Sequence, residues 1–282
     1  MEYIKLNNGV QMPILGIGTF MLSPDEAEKS VTSAIENGYR LIDTANAYVN
    51  EKAVGRAIKK SNVNRQDIFL ETKLWPSFYE DEDAIDKTLK RLDTDYIDLM
   101  ILHQPAGNYI AGYKKLEKAY KEGKLRAIGI SNFNESEIEE ILKICEVRPA
   151  LIQLETHPYC SREKLNKYLK ENKIALQSWY PLGGRDNKVL MNEEIFVELS
   201  KKYNKSTAQI ILRWHTQMGY NVIPGAKSEN HIKENIDIFD FKLTDDEMKK
   251  IEKLNKDIPF YIRTDEALAG FAKWVPDVDG QK

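Results

Sequence analysis

Cysteine is scarce in this 282-residue chain. Cys145 and Cys160 are too few for a disulfide framework, so a reducing compartment is the natural setting. No apolar run approaches membrane-spanning length, and the opening Met1-Glu2-Tyr3-Ile4-Lys5 lacks the apolar core of a signal peptide. Neither sign of charge dominates. The 41 basic and 44 acidic residues leave a net charge of −3 and are interspersed, without the basic block or stripe that marks a nucleic-acid or anionic-membrane partner. Low-complexity tracts and linkers are missing too, so nothing divides the chain. What remains is the expectation of a cytoplasmic protein folded as one domain over residues 1–282, with no nucleic-acid or membrane partner. At 42 % hydrophobic and 30 % charged residues, a globular core is within reach and disorder is excluded.

What is present is an alternation. Short apolar, β-branched runs recur at Ile14–Thr19, Leu41–Thr44, Ile68–Leu74, Ile97–His103, Ala127–Ser131, Leu151–Thr156, Ile174–Trp179 and Asn221–Pro224. Most are apolar nearly throughout, as strands covered on both faces should be. Between them lie stripes at helical spacing: Ala27, Val31, Ala34 and Ile35; Ile85, Leu89 and Leu92; Ile138, Ile141, Leu142 and Cys145. Ser23-Pro24-Asp25-Glu26 reads as a capped helix start and Asn37-Gly38 as its end. The acidic stretch Glu80–Asp83 reads as the first turn of a solvated helix. Ahead of the first strand, Asn7-Asn8-Gly9 between Ile4–Leu6 and Gln11–Pro13 predicts a β-hairpin, placed to plug the bottom of a barrel. Eight alternations in one unbroken domain favour an α/β fold of the (β/α)8 TIM-barrel type over an open sheet. The apolar Phe260, Tyr261, Phe271 and Trp274 suggest a C-terminal loop that lies over the mouth.

In such a barrel, chemistry belongs at the carboxyl ends of the strands, and reactive residues gather there. Asp43 closes the second run, with Tyr48 five residues on; Lys73 ends the third and His103 the fourth. The combination suits proton donation to a carbonyl oxygen. A phenol of ordinary pKa near 10 is a poor acid at neutral pH unless its anion is stabilised. A nearby ammonium does this, a carboxylate keeps that ammonium charged and fixed, and an imidazole can orient the carbonyl. Taken singly, Asp43 and Lys73 read as a structural ion pair and His103 as a packed strand-end histidine. Their joint placement carries the argument.

These residues also resemble a family. Asp43-Thr44-Ala45-Asn46-Ala47-Tyr48-Val49-Asn50-Glu51 with Val54-Gly55-Arg56-Ala57-Ile58 is similar to the first signature of the aldo-keto reductases. Gly16-Ile17-Gly18-Thr19, Thr72-Lys73-Leu74, His103-Gln104-Pro105, Gly129-Ile130-Ser131-Asn132-Phe133, Gln153 and Ile223-Pro224-Gly225 follow in that family's order and spacing. The likeness covers about residues 3–255, and the chain resembles the prokaryotic 2,5-diketo-gluconate reductase-like branch. It implies an NADP(H)-dependent enzyme that reduces aldehydes or ketones with hydride from C4 of the nicotinamide. Tyr48 would be the general acid, tuned by Lys73 and Asp43, and His103 would position the carbonyl.

By the same resemblance, Ser131, Asn132 and Gln153 hold the carboxamide of the nicotinamide and Trp179 stacks on its ring. Thr19 belongs to the cofactor contacts. Leu182 and Gly183, in Pro181-Leu182-Gly183-Gly184, cover the pyrophosphate. The 2′-phosphate falls at the helix start after the last strand, on Lys227 and Ser228, where free amides and the helix dipole favour an anion. His231 lies beside it and Asn235 reaches the adenine. Phe20, Trp75 and Gln104 would contact substrate, inside a wall built from Pro76–Tyr79, Pro105–Tyr109 and the tail from Asp257 to Lys282. A monomer acting on a small carbonyl compound is implied, with no metal.

The chain departs from the family at several points: Gly225 stands where many relatives have lysine, His231 where they have arginine, Gln104 for tryptophan and Tyr180 for serine. NADPH is therefore expected as cofactor, with NADH as the alternative. Two other functions are compatible with these residues: a Schiff-base aldolase using Lys73, and a non-catalytic nucleotide sensor. Gly16-x-Gly18 is not a Rossmann fingerprint, since no helix follows directly, and reads as a turn. His157 and Cys160 lack the companions of a zinc site, and His215 reads as structural.

Overall fold

The computed structural model describes residues 1–184 and 187–281; Lys282, the last residue of the tail, lies outside the described residues. The predicted hairpin is β1 (Tyr3–Lys5) with β2 (Gln11–Pro13), paired antiparallel so that Ile4 faces Met12. Eight parallel strands follow: β3 (Ile17–Gly18), β4 (Leu41–Asp43), β5 (Phe69–Leu74), β6 (Leu99–Leu102), β7 (Ile128–Ser131), β8 (Leu151–Glu155), β9 (Ala175–Trp179) and β10 (Asn221–Val222). Helices α1 (Pro24–Glu36), α2 (Glu51–Lys60), α3 (Ala84–Leu92), α4 (Tyr109–Lys121), α5 (Glu135–Ile144) and α6 (Glu163–Glu171) each follow one strand. Then come α7 (Asn187–Met191), α8 (Glu194–Tyr203) and α9 (Thr207–Gln217) before β10, and α10 (Glu229–Ile236), α11 (Asp245–Glu252) and α12 (Asp265–Lys273) after it.

The sheet closes. Parallel bridges Leu15↔Val222 and Gly18↔Gly225 join the first run to the last, and the Gly18 amide donates to the Pro224 carbonyl at 3.2 Å. This gives Gly18 its reason: it pairs with Asp43 on one side and Gly225 on the other. A Cβ there would press on the Ile223 carbonyl at 3.2 Å. The glycine serves barrel closure and not the turn that Gly16-x-Gly18 suggested. The strands are shorter than the apolar runs, most clearly at the first, where two residues of Ile14–Thr19 remain; at the last, Pro224 has no N–H to add a rung. Glu80–Asp83 also differs from expectation. Asp81 accepts the Asp83 amide at 3.0 Å, so the segment is a turn ahead of α3 and not its first coil.

Side-chain parity organises the interior. Successive strand residues point to opposite faces, so Leu41 and Asp43, Phe69, Glu71 and Lys73, or Leu151, Gln153 and Glu155 share one face. The lower members of that set form one apolar cluster: Leu41, Phe69, Leu99, Ile101, Ala127, Leu151 and Ile223 pack with Leu6 and Met12 of the hairpin. The hairpin is thus the floor, tied down by Asn7 to the Pro149 carbonyl and Asn8 to the Arg126 carbonyl, both at 2.8 Å. The other parity, including Ile42, Leu70, Met100, Ile128, Ile130, Ile152 and Leu176, packs outward against Val31, Ala34, Ile35, Ile138 and Ile141 of the helices. Apolar residues at the lower ends and polar ones at the upper ends of the inward face aim the chemistry at the mouth. Among the described residues no helix is long and apolar enough to cross a membrane.

Helix α1 is capped as the sequence implies: Ser23 accepts from the Glu26 amide and Glu26 returns a bond to Ser23. Where α2 crosses α3, a Cβ on Gly55 would lie 2.4 Å from the Leu92 carbonyl oxygen. Backbone cannot yield as a side chain can, so Gly55→Ala is expected to destabilise the fold by about 1–3 kcal/mol through overpacking. Urea denaturation checks this, and a midpoint equal to wild type would show that the two helices separate freely.

Candidate active site

At the mouth, Lys73 and Asp43 form a buried ion pair. The Lys73 ammonium also donates to the Thr44 carbonyl at 2.9 Å and to the Tyr48 hydroxyl at 3.3 Å. Tyr48 sits in a short 3-10 turn (Asn46–Tyr48) after β4, and that turn is anchored where the Trp75 amide donates to Asn46 Oδ1 at 3.1 Å. His103 packs edge-on to Tyr48, with ring centroids 5.6 Å apart, and edge-on to Trp75 at 5.0 Å. Four side chains named at strand ends thus meet.

Burial sets their protonation. Burial alone would lower Lys73, but Asp43, then Tyr48 and Glu71, outweigh it and hold the ammonium above its ordinary range. His103 is held well below the ordinary imidazole value, by burial first and the Lys73 charge second. It is neutral, with one N–H to give. Tyr48 departs from the expectation that a neighbouring cation makes it acidic. Burial pushes it up to about 12, and the Lys73 charge recovers only part of that rise. Desolvation of the phenolate is the larger effect.

Around this cluster opens a cavity of about 580 Å³ lined by Phe20, Trp75, Gln104, Ser131, Asn132, Gln153, Trp179 and Leu182 among others. Ser131 Oγ is buried without a partner among the described residues. Asn132, held at φ 66°, accepts from Trp179 Nε1 at 3.0 Å, which sets the indole beside Ser131. The Pro181–Gly184 segment turns back over the cavity through positive φ at Gly183 and Gly184.

The tail closes the other side. Trp75 Nε1 donates to the Trp274 carbonyl at 3.1 Å, and Phe271 and Trp274 pack edge-on to Trp75. Part of the tail is helical, α12, rather than loop. Glu155 anchors it by accepting the amides of Phe260 and Tyr261 at 2.6 and 2.9 Å, while Arg263 binds Glu137 and donates to the Asn132 carbonyl at 3.0 Å.

Comparison with known proteins decides the family. The model of the Aldo/keto reductase family matches residues 14–256. The chain belongs to the aldo/keto reductase family. It is 44 % identical to the glyoxal reductase of Bacillus subtilis (strain 168), over 91 % of this chain and 94 % of that one. It is 37 % identical to the methylglyoxal reductase DkgA of Escherichia coli (strain K12), over 90 % and 93 %. Among solved structures, the aldo-keto reductase MGS-M4 from a Medee basin deep-sea metagenome library superposes with a TM-score of 0.90 at 39 % identity. That match covers 94 % of this chain and 98 % of that one.

In this aldo/keto reductase the remaining sequence-expected residues fall into three groups. Ser131, Asn132, Gln153, Trp179 and Leu182 line the cavity with Phe20, Trp75 and Gln104. Gly183 lies in the turn beside it, its amide donating to the Tyr180 carbonyl at 2.9 Å. Thr19 is buried and spends its hydroxyl on the Asp43 carbonyl at 3.0 Å. The last group sits around α10. Ser228 caps that helix, Asn235 is buried, and His231 and Lys227 are exposed. Lys227 donates to Glu26 at 3.0 Å. The Ser23 amide, and after it Lys227, holds the Glu26 carboxyl down at about 2.

Pro76–Tyr79 and Pro105–Tyr109, expected in the pocket wall, stand behind the cavity. Tyr79 accepts the Gln104 amide at 3.1 Å and donates to its carbonyl at 2.7 Å, bracing the residue that does face inward. His157 bonds Glu155 at 3.0 Å, and no cluster of potential metal ligands occurs among the described residues. His215 lies between the carbonyls of Ile211 and Thr156. Glu71, Glu155 and Arg263 escaped the sequence reading. Parity on β5 and β8 was the available signal for the two acids, whereas nothing marked Arg263.

Proposed function

We propose that this chain is an NADPH-dependent reductase of small aldehydes or ketones with Asp43, Tyr48, Lys73 and His103 as its catalytic group. The observation that carries this reading is the Tyr48 hydroxyl held 3.3 Å from a buried, charge-balanced Lys73 and facing a cavity that a neutral imidazole also faces. The cavity suits a nicotinamide. Buried Ser131 Oγ lacks a partner there, and an amide group is the complement of that hydroxyl and the side chains of Asn132 and Gln153. Trp179 supplies a flat apolar face, and Leu182 and Gly183 a turn under which a pyrophosphate fits; Thr19 supports the site through the Asp43 carbonyl. A reduced nicotinamide held by these residues would supply hydride to the carbonyl carbon. His103 donates a hydrogen bond to the carbonyl oxygen and Tyr48 gives that oxygen its proton, completing the alcohol. Lys73, fixed by Asp43, stabilises the phenolate left behind. Phe20, Trp75 and Gln104 hold the substrate.

The aldolase reading needs a neutral Lys73 amine, and the buried Asp43 carboxylate holds this ammonium charged instead. A nucleotide sensor would need none of the four groups assembled. The enzyme is read as a cytoplasmic monomer of one domain, with Cys145 and Cys160 as free thiols suited to a reducing compartment. A panel of aldehydes and ketones assayed with NADPH and NADH in parallel tests the function. NADPH oxidation matched by alcohol formation is expected, and no turnover on any carbonyl would overturn it.

The 2′-phosphate is assigned to Lys227 and Ser228 at the start of α10, with His231 alongside and Asn235 toward the adenine. Glu26 competes for that lysine, so NADPH must draw Lys227 off a solvent-screened surface pair, which offers little resistance. Lys227→Ala is therefore expected to raise KM for NADPH about tenfold, as loss of a charge-assisted bond does, and to leave KM for NADH unchanged. Equal changes for both cofactors would place the phosphate elsewhere.

A further inference from the structure

Behind the catalytic group lies a second carboxyl that the proposed mechanism does not use. Glu71 stands two residues before Lys73 on β5, opposite Asp43 in the ladder, and is fully buried. Its surroundings fix which oxygen can be charged. Asn221 Nδ2 donates to the Pro13 carbonyl at 2.6 Å, which orients that amide and turns its Oδ1 toward Gln177. Gln177 Nε2 must then point toward Asn221, at 2.8 Å, and its second N–H goes to Glu71 Oε1 at 2.7 Å. Gln177 Oε1 accepts from Gln153 Nε2 at 2.6 Å, and the same nitrogen donates to Asp43 Oδ1 at 3.3 Å. Both amide hydrogens of Gln177 and both of Gln153 are thereby spent. Glu71 Oε2 is left buried with no donor among the described residues, against the Asp43 carboxyl.

Two carboxylates facing one ammonium in a dry barrel leave one negative charge without compensation, which burial penalises heavily. We propose that Glu71 carries a proton on Oε2 and donates it as a hydrogen bond to the Asp43 carboxylate, serving as a positioning residue for the Lys73–Tyr48 pair. The cluster then holds one carboxylate and one ammonium. Asp43, sharing its charge with the Glu71 hydrogen, leaves more of the Lys73 field on the Tyr48 oxygen. Burial first and Asp43 second push Glu71 well above the ordinary carboxylate range, against the opposing pull of Lys73. The groups facing it are Asp43 on β4, Lys73 on β5, Gln153 on β8, Gln177 on β9 and Asn221 on β10, with Tyr48 beyond the ammonium.

The service to Tyr48 rests on the reductase reading; the proton does not. Infrared spectroscopy of the cofactor-free protein reads it directly. A protonated-carboxyl carbonyl stretch is expected to persist at neutral pH in wild type and to vanish in Glu71→Gln. The glutamine keeps both bonds, accepting from Gln177 and donating to Asp43, so kcat should stay within about twofold of wild type. Glu71→Met removes the donor, and kcat should fall about tenfold with KM for NADPH unchanged, the size of one hydrogen bond to a charged group. If methionine impairs folding, the glutamine spectrum alone still decides. No band removed by Glu71→Gln overturns the proposal, as does equal kcat in the two variants. Failure of the Tyr48 assignment would appear instead as an active Tyr48→Phe enzyme with the band intact.

Discussion

Tyr48→Phe is expected to lower kcat for carbonyl reduction about a thousandfold, within the range of about 10²–10⁴ that a positioned proton donor contributes, while NADPH affinity stays within about twofold. The substitution removes one oxygen and little else. Lys73 keeps its bonds to Asp43 and the Thr44 carbonyl, and the phenyl ring keeps its contacts with Phe20 and His103. Stability should therefore change by less than about 1 kcal/mol, since the lost bond to Lys73 is long. The wild-type pH profile follows from the same group. With Tyr48 pushed up to about 12, the hydroxyl carries its proton across the neutral range, so the reduction rate should hold level there. It should decline as pH climbs toward that value and the donor is lost. Steady-state kinetics and fluorescence titration of NADPH separate the two effects. More than a tenth of the wild-type kcat in Tyr48→Phe would remove this hydroxyl from the reaction.

The cluster at the mouth was legible because reactive residues of a barrel gather at strand ends, and Asp43, Lys73 and His103 each end an apolar run. The hairpin was legible because Asn7-Asn8-Gly9 has the chemistry of a tight turn. Other features lay beyond a one-dimensional reading. Glu71 is an acidic residue inside Phe69-Leu70-Glu71-Thr72-Lys73-Leu74, and strand parity places it on the Lys73 face, but only the β4–β5 register sets it beside Asp43 and only the closed barrel brings it to Gln177. Glu155 shares a face with Gln153 in the same way, yet its partners are amides about a hundred residues away. The place of Lys227 just ahead of α10 was legible in the sequence. Its pairing with Glu26 depends on the cap of α1, where Ser23 fixes the carboxylate. The rise in Tyr48 was missed for a physical reason. Residue identities announce charges, whereas desolvation depends on how much protein surrounds them.

Lys73→Met tests that balance most severely, because it should cost both activity and stability. Reduction should fall by at least the thousandfold expected of Tyr48→Phe, since the phenolate loses the charge that stabilises it. Stability should fall by about 3–5 kcal/mol at neutral pH, as expected when one partner of a buried pair is removed and the other stays charged. Adding Asp43→Asn removes the orphaned charge. The double variant should regain most of the stability at neutral pH and none of the activity. Restoration of both would mean that Lys73 serves the fold alone. A single variant as stable as wild type at all pH values would mean that Asp43 was never charged against it.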